Sequence, residues 1–155
     1  MYASPRTKLG LALAAMTLAA PALAQQQPVS GGTSGSAGGG DVSAGTSGYG
    51  STDGTSINVG GTADAAAANG GTVQTNTRAN SNDRRGMQRS VATARDDDER
   101  ARSMTRTRVR QGEVVDSRTM SMYKEQGQRP VREVVRTTST PDGTTTNTNG
   151  SSKPR

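Results

Sequence analysis

After Leu23 the chain contains no leucine, and it has no phenylalanine, tryptophan or cysteine at any position. From residue 25 onward the large aliphatic residues are Ile57 and eleven valines, roughly 9 % of that part, whereas the default below ~20 % is disorder. Small exported domains without a core are often held together by disulfides, which a cysteine-free chain cannot form. This composition predicts a mostly intrinsically disordered chain of low complexity.

The first 24 residues have the pattern of a secretory signal peptide. Arg6 and Lys8 precede the apolar run LGLALAAMTLAA, and Ala22-Leu23-Ala24 follows as a small-residue cleavage site. The run is shorter than the ~20 apolar residues that span a bilayer, and no later stretch suits a transmembrane span. We therefore expect a bacterial protein of Gram-negative type, exported to the periplasm or secreted, whose mature chain starts at Gln25.

Composition divides the rest of the chain into four segments. Residues 25–77 are rich in Gly, Ser, Thr and Ala and contain no Lys or Arg, which predicts a disordered spacer. Residues 78–104 form a charged, arginine-rich segment, and residues 105–149 alternate Thr, Val and Arg in a strand-like manner. Residues 150–155 are expected to be a disordered tail.

One marginal helix is predicted at about residues 88–103. Thr93 and Asp96 have the spacing of a capping box, and Asp98 precedes Arg102 by four residues, the favourable order for a helical ion pair. A helix this short is marginal alone, so we expect it to be completed by a partner. Consecutive carboxylates on a helix point about 100° apart, which argues against a metal site in the run DDDE.

Short β-hairpins are predicted over about residues 105–148. TRTRVR and EVVDSRTMSMY flank Gln111-Gly112, and REVVRTTST and TTTNTN flank Pro141-Asp142-Gly143, the stronger turn signal. VRQGEVV and VREVV look like two copies of one strand motif, arising either by duplication or by chance in a biased composition. The last strand is wholly polar, so we expect a small, solvated sheet.

Few residues in the chain suit catalysis. The absence of histidine and cysteine removes the commonest general base, the thiol nucleophile and the preferred zinc ligands. Ser121 and Lys124 have the SxxK spacing of penicillin-binding enzymes, but they lie in a polar segment with nothing to desolvate the lysine. We therefore expect a protein that is not an enzyme, without catalytic, cofactor-binding or metal-binding residues.

Arginine is the residue type that points most clearly to a ligand. The net charge is +6 at pH 7, and arginine forks suit phosphate, sulfate and carboxylate groups. The residues predicted to contact an anionic ligand are Arg84, Arg85, Arg89, Arg106, Arg108 and Arg110, within a wider group that includes Arg78, Arg95, Arg100 and Arg102. A solvated charge run that only keeps the chain soluble is the alternative. No aromatic residues are interleaved for base stacking, so sequence-specific nucleic-acid binding is not expected.

These features favour an exported, non-enzymatic protein of the bacterial envelope or exterior. Its arginine-rich segment would contact an anionic envelope polymer or lipid headgroups. The alternative is a structural protein of the cell surface or matrix whose Thr/Val-rich strands self-associate edge to edge. The sequence leaves the identity of the ligand and the oligomeric state open.

Overall fold

The computed structural model describes residues 28–151, which form ten β-strands and no helix. The strands are β1 (Val29–Gly39), β2 (Val42–Thr52), β3 (Ile57–Gly60), β4 (Ala63–Ala67), β5 (Thr72–Ser81), β6 (Arg85–Arg95), β7 (Glu99–Arg110), β8 (Val114–Glu125), β9 (Val131–Thr140) and β10 (Gly143–Ser151). Within this part of the chain, no helix is long and apolar enough to cross a membrane. The predicted signal peptide and the last residues of the predicted tail lie outside the described residues.

The strands form two antiparallel sheets. In the small sheet β2 is central: β1 pairs along one side of it, and β3 and β4 pair one after the other along its other side. In the large sheet the six strands from β5 to β10 are neighbours in chain order. The small sheet packs mainly against β6 to β9, so one face of the large sheet is covered and its opposite face, here called the outer face, is open to solvent.

Small side chains allow the two sheets to approach closely. A Cβ atom placed on Gly35 of β1 would lie 2.6 Å from Thr119 Cγ2 and 2.8 Å from Ser121 Oγ. The same applies on β2, where a Cβ on Gly48 or Gly50 would collide with side chains of β7. The glycines of a segment that resembles a linker are therefore the contact surface of the small sheet.

Two apolar clusters lie at opposite ends of the interface between the sheets. One contains Val42, Ala44, Ala92, Ala94 and Ala101, and the other contains Val29, Val109 and Val115. Between them the buried side chains are mostly hydroxyls, including Thr33, Thr46, Ser103, Thr105, Thr107, Ser117 and Thr119. The core is thus built almost entirely from side chains no larger than valine.

The buried hydroxyls bond to one another across the interface. Thr33 Oγ1 lies 2.8 Å from both Ser117 Oγ and Thr119 Oγ1. Thr119 Oγ1 is 2.6 Å from Thr105 Oγ1, which is in turn 2.8 Å from Thr46 Oγ1 of the small sheet. A buried hydroxyl without a hydrogen-bond partner is costly. In this network each of the four threonines, Thr33, Thr46, Thr105 and Thr119, has two hydroxyl partners.

The prediction of a mostly disordered, low-complexity chain is wrong. Residues 28–77 of the predicted spacer form β1 to β4 and part of β5, with Val42, Ala44 and Thr46 buried. The low share of large aliphatic residues predicts disorder only if such side chains are the main source of a core. Here backbone ladders, paired hydroxyls and the methyl groups of Ala and Thr supply the stabilisation instead.

The predicted helix at about residues 88–103 is also wrong, because this segment forms much of β6, a turn and the start of β7. Residues 85–95 and 99–110 alternate buried and open positions with a period of two, not 3.6. Asp96 caps the turn rather than a helix, since its Oδ1 accepts the N–H groups of Asp98 at 3.0 Å and Glu99 at 2.6 Å.

The two hairpins predicted over about residues 105–148 are present as β7–β8 and β9–β10, but they belong to a six-stranded sheet rather than to a small, solvated one. β7 and β8 are central strands of the six-stranded sheet, and their inward side chains are buried beneath β1 and β2. The two similar motifs differ in structure: VRQGEVV spans the turn between β7 and β8, whereas VREVV lies within β9. Their likeness therefore does not correspond to a structural repeat.

Candidate anion-binding surface

The strand alternation places arginine on the outer face of the large sheet. In β7 the side chains of Ser103, Thr105 and Thr107 are buried toward the small sheet, while Arg106 and Arg108 point away from it and are exposed. The same separation holds in β6 and β8. Each of these strands therefore has a core side of mostly small residues and an outer side of mostly longer ones, which in β7 are nearly all arginines.

Five arginines occupy directly opposed positions on five neighbouring strands of this face. The strand register pairs Arg78 with Arg89, Arg89 with Arg106, Arg106 with Arg118, and Arg118 with Arg136. We call Arg78, Arg89, Arg106, Arg118 and Arg136 the arginine row. Neighbouring strands lie ~4.8 Å apart, so the row extends about 19 Å across the sheet.

The surroundings of the arginine row add further positive charge. The other cations at strand positions on the outer face are Arg85, Arg95, Arg100, Arg102, Arg108, Arg110, Lys124 and Arg132. Asp116 is the one acidic residue at a strand position of this face in the part of the chain that the structure describes. The acids of the run DDDE lie instead at the β6–β7 turn and the start of β7.

Asp116 neutralises only one end of the arginine row. Its Oδ1 accepts from Arg136 Nε at 3.0 Å and its Oδ2 from Arg136 Nη2 at 3.4 Å, and this is the one ion pair among residues 28–151. Directly opposed like charges destabilise a sheet. The remaining row arginines therefore repel one another without an acidic partner in the described structure.

A row of partly buried apolar residues runs beside the arginine row. Val91, Met104, Met120 and Val134 occupy opposed positions on β6 to β9. The Arg89 guanidinium reaches this row, since its Nη2 lies 3.6 Å from Met104 Sδ. A depression of about 410 Å³ lies over the arginine row and extends from Met104 and Met120 on one side to Arg108 and Asp116 on the other, with Arg106, Arg118 and Arg136 also lining it.

The structure brings five of the six sequence-predicted residues onto this face. Arg89 and Arg106 are in the row, Arg108 is beside it, and Arg85 and Arg110 form an opposed pair at one end of β6 and β7. Arg84 lies in the turn before β6, where its carbonyl accepts the N–H of Gln111 at 3.2 Å.

Sequence reasoning missed Arg118 and Arg136, which complete the row. The signal was present, since DSRTMSMY and VREVVRTTST alternate in the same way as the segment before them. Their alignment with Arg106 follows from the strand register, which composition does not reveal.

Other notable polar residues serve the fold. Ser121 and Lys124 lie on opposite faces of β8, the serine buried and the lysine exposed, so the SxxK spacing does not bring them together.

The Tyr123 hydroxyl donates to Glu99 Oε1 at 2.6 Å, and Glu99 Oε2 accepts the backbone N–H of Asp41 at 3.0 Å. This hydrogen bond to Glu99, with some desolvation, raises the pKa of Tyr123 to about 12. The contacts tie the β1–β2 turn to the large sheet.

The turn between β2 and β3 is organised by Asp53. Its carboxylate accepts the backbone N–H groups of Ser56 at 2.7 Å and Thr55 at 2.9 Å, and both hydroxyls as well. These bonds, that from the Ser56 backbone first, hold the pKa of Asp53 well below its usual range. Asp53 is therefore a turn-forming residue rather than part of the candidate surface.

No protein-family model, curated protein or solved structure matches this chain.

Proposed function

We propose that this chain is an exported, non-enzymatic protein that binds an anionic polymer through the outer face of its large sheet. Export rests on the signal-peptide pattern of residues 1–24. The non-enzymatic character rests on the residue types of the chain, which lacks histidine and cysteine. The binding function rests on the arginine row.

One observation carries this proposal. The arginine row places five positive charges at directly opposed positions on neighbouring strands, and only the arginine at one end has an acidic partner in the described structure. A solvated charge run would keep the chain soluble with its charges interspersed and of both signs. The opposed arrangement costs stability, and folded proteins tolerate such local conflicts mainly at functional sites. A polyanion would remove the conflict by supplying the missing negative charge along the row.

Titration with heparin, with uncharged dextran as the control polymer, tests the proposal. Heparin should bind, and the logarithm of its association constant should fall linearly with the logarithm of the salt concentration because counterions are released. Dextran should not bind. Heparin binding that is absent, or indifferent to salt, would refute the proposal.

A matched pair of double variants locates the binding surface. Arg106→Gln/Arg118→Gln removes two charges from the outer face, whereas Arg84→Gln/Arg129→Gln removes two charges from turns. The first should weaken heparin binding about tenfold or more, and the second much less, because only the outer face concentrates the charge. Equal losses would mean that net charge alone drives the binding.

A second candidate, self-association through β10, is favoured by the open edge of the large sheet. β10 pairs only with β9 in the described structure, and residues 143–150 carry no charge and no proline. Such an edge can pair with another chain. Sedimentation should then show a mass that rises with protein concentration, and Thr146→Lys/Thr148→Lys should abolish the rise. A wild-type protein that stays monomeric at high concentration excludes this candidate.

A further inference from the structure

From the geometry of the arginine row we infer that the anionic ligand is an extended acidic polysaccharide with one charged group on every sugar ring, lying across the strands along the row. The inference rests on the proposed function and adds the ligand class and its direction. The row places one guanidinium on each of five neighbouring strands, from Arg78 to Arg136.

The repeat distance supports this class of ligand. Adjacent strands place the backbones of the row ~4.8 Å apart, and an extended 1,4-linked polysaccharide advances by a similar distance with each ring. Successive rings of such a chain turn their carboxylates to opposite sides. The Arg89 and Arg106 guanidiniums likewise reach to opposite sides of the row, toward Met104 at 3.6 Å and Met87 at 3.4 Å, so successive carboxylates can meet successive arginines. Since the guanidinium fork is planar, each contact can form two parallel hydrogen bonds with a carboxylate.

The depression over the row offers a complementary surface for a sugar ring. Met104 and Met120 line one side of it with apolar atoms, and Arg106 and Arg118 lie next to them. The C–H face of a ring could rest on the methionines while its carboxylate reaches the row. Asp116 disfavours an anion at one side and holds Arg136 through the 3.0 Å ion pair, so it bounds the path of the ligand.

Other anionic partners fit the outer face less well. Single-stranded nucleic acids are usually held by base stacking on aromatic rings, and no aromatic residue occupies a strand position of this face in residues 28–151. Duplex DNA winds its phosphates around the helix axis while rising ~3.4 Å per base pair, so only a short part of either strand would follow the row. A planar membrane would contact only part of a sheet whose strands rotate by the usual ~20° from one to the next, whereas a flexible chain can follow all of it.

The test compares two carboxylated polysaccharides by calorimetric titration in calcium-free buffer. Oligoguluronate carries a carboxylate on every ring, and hyaluronan oligomers of equal carboxylate number carry one on every second ring. We expect oligoguluronate to bind about tenfold more tightly, with a salt slope of up to about −2.8 for contacts at ~0.7 each with the four row arginines other than Arg136, which Asp116 holds. Equal affinities, or tighter binding of hyaluronan, would overturn the inference.

Two double variants on the same pair of strands test the direction of the ligand. Arg89→Gln/Arg106→Gln removes two neighbours from the row, and Arg95→Gln/Arg110→Gln removes two arginines of the same face near the strand ends. The row variant should weaken oligoguluronate binding about tenfold and lower the salt slope by about 1.4, whereas the control should change the affinity less than threefold.

The outcomes separate this inference from the proposed function. If both double variants weaken oligoguluronate equally while heparin binding remains salt-dependent, the row is not the path and only the inference fails. If phosphatidylglycerol vesicles bind more tightly than oligoguluronate and both variants weaken them equally, the ligand is a membrane surface and the inference fails again. If no polyanion binds, the proposed function fails with it.

Discussion

Removing the central charge of the arginine row should make the protein more stable. Arg106 is flanked by Arg89 and Arg118 at directly opposed positions. Arg108, two residues along the same strand, and Asp116, diagonally opposite on β8, have opposite charges, so their effects on Arg106 partly offset each other. Arg106→Gln keeps a polar side chain on the exposed face and removes two repulsive pairs.

The size of the effect follows from Coulomb's law. For a charge separation of ~6 Å, slightly beyond the strand separation, Coulomb's law gives a repulsion of ~0.7 kcal/mol in water. Screening leaves ~0.6 kcal/mol per pair at 0.01 M ionic strength and ~0.1 kcal/mol at 1 M. The two pairs therefore predict a gain in the free energy of unfolding of about 1.2 kcal/mol at low salt and about 0.2 kcal/mol at high salt.

Urea unfolding followed by circular dichroism measures this gain, because urea leaves the ionic strength unchanged. Arg106→Lys retains the charge and should give no gain. Arg78→Gln, with one charged neighbour on an edge strand, should give about half the gain of Arg106→Gln. A variant Arg106→Gln that is less stable than wild type at low salt, or whose gain is the same at both salt concentrations, would refute the reasoning.

Three further predictions concern the core and the turns. Gly35→Ala should lower the free energy of unfolding in urea by about 1–3 kcal/mol because the new methyl group forces the sheets apart, whereas Gly45→Ala, whose Cβ would meet only Ser36 Cβ at 3.9 Å, should stay within about 0.5 kcal/mol. Thr119→Val should cost about 1–3 kcal/mol in the same assay because it removes two buried hydrogen bonds, and a neutral result would contradict the role of the hydroxyl network. The raised folded pKa of Tyr123 contributes stability fully below its unfolded pKa of ~10 and loses it as the pH rises through about 12, so thermal melts of wild type should fall more steeply over that range than those of Tyr123→Phe.

Part of the candidate site was accessible from the sequence. The alternation of Arg106, Arg108 and Arg110 predicts that these side chains share one face of a strand, and the structure places them on the outer face of β7. The alignment of Arg106 with Arg118 and Arg136 was not accessible, because it depends on the lengths of two turns. A shift of one residue in either register would turn the arginine toward the small sheet.

The fold was predicted poorly because local rules pointed elsewhere. The acidic run after Thr93 satisfied the rules for a helix start, yet in the structure Asp96 accepts two turn N–H groups. Helical ion pairs between residues four apart contribute only a few tenths of a kcal/mol each. Pairing between β6, of 11 residues, and β7, of 12 residues, outweighs this contribution. The helix or strand propensity of one segment carries no information about the neighbouring strands that pair with it.

By itself, the sequence determined which side chains are available: small and hydroxyl side chains for a core, and arginines at alternating positions for a surface. Only the tertiary structure decided that the Gly-rich segment becomes a sheet, because its glycines and threonines gain stability only where another sheet lies against them. It also decided that five arginines separated in the chain form one row, since cross-strand neighbours are set by register, a property of pairs of strands and not of any single segment.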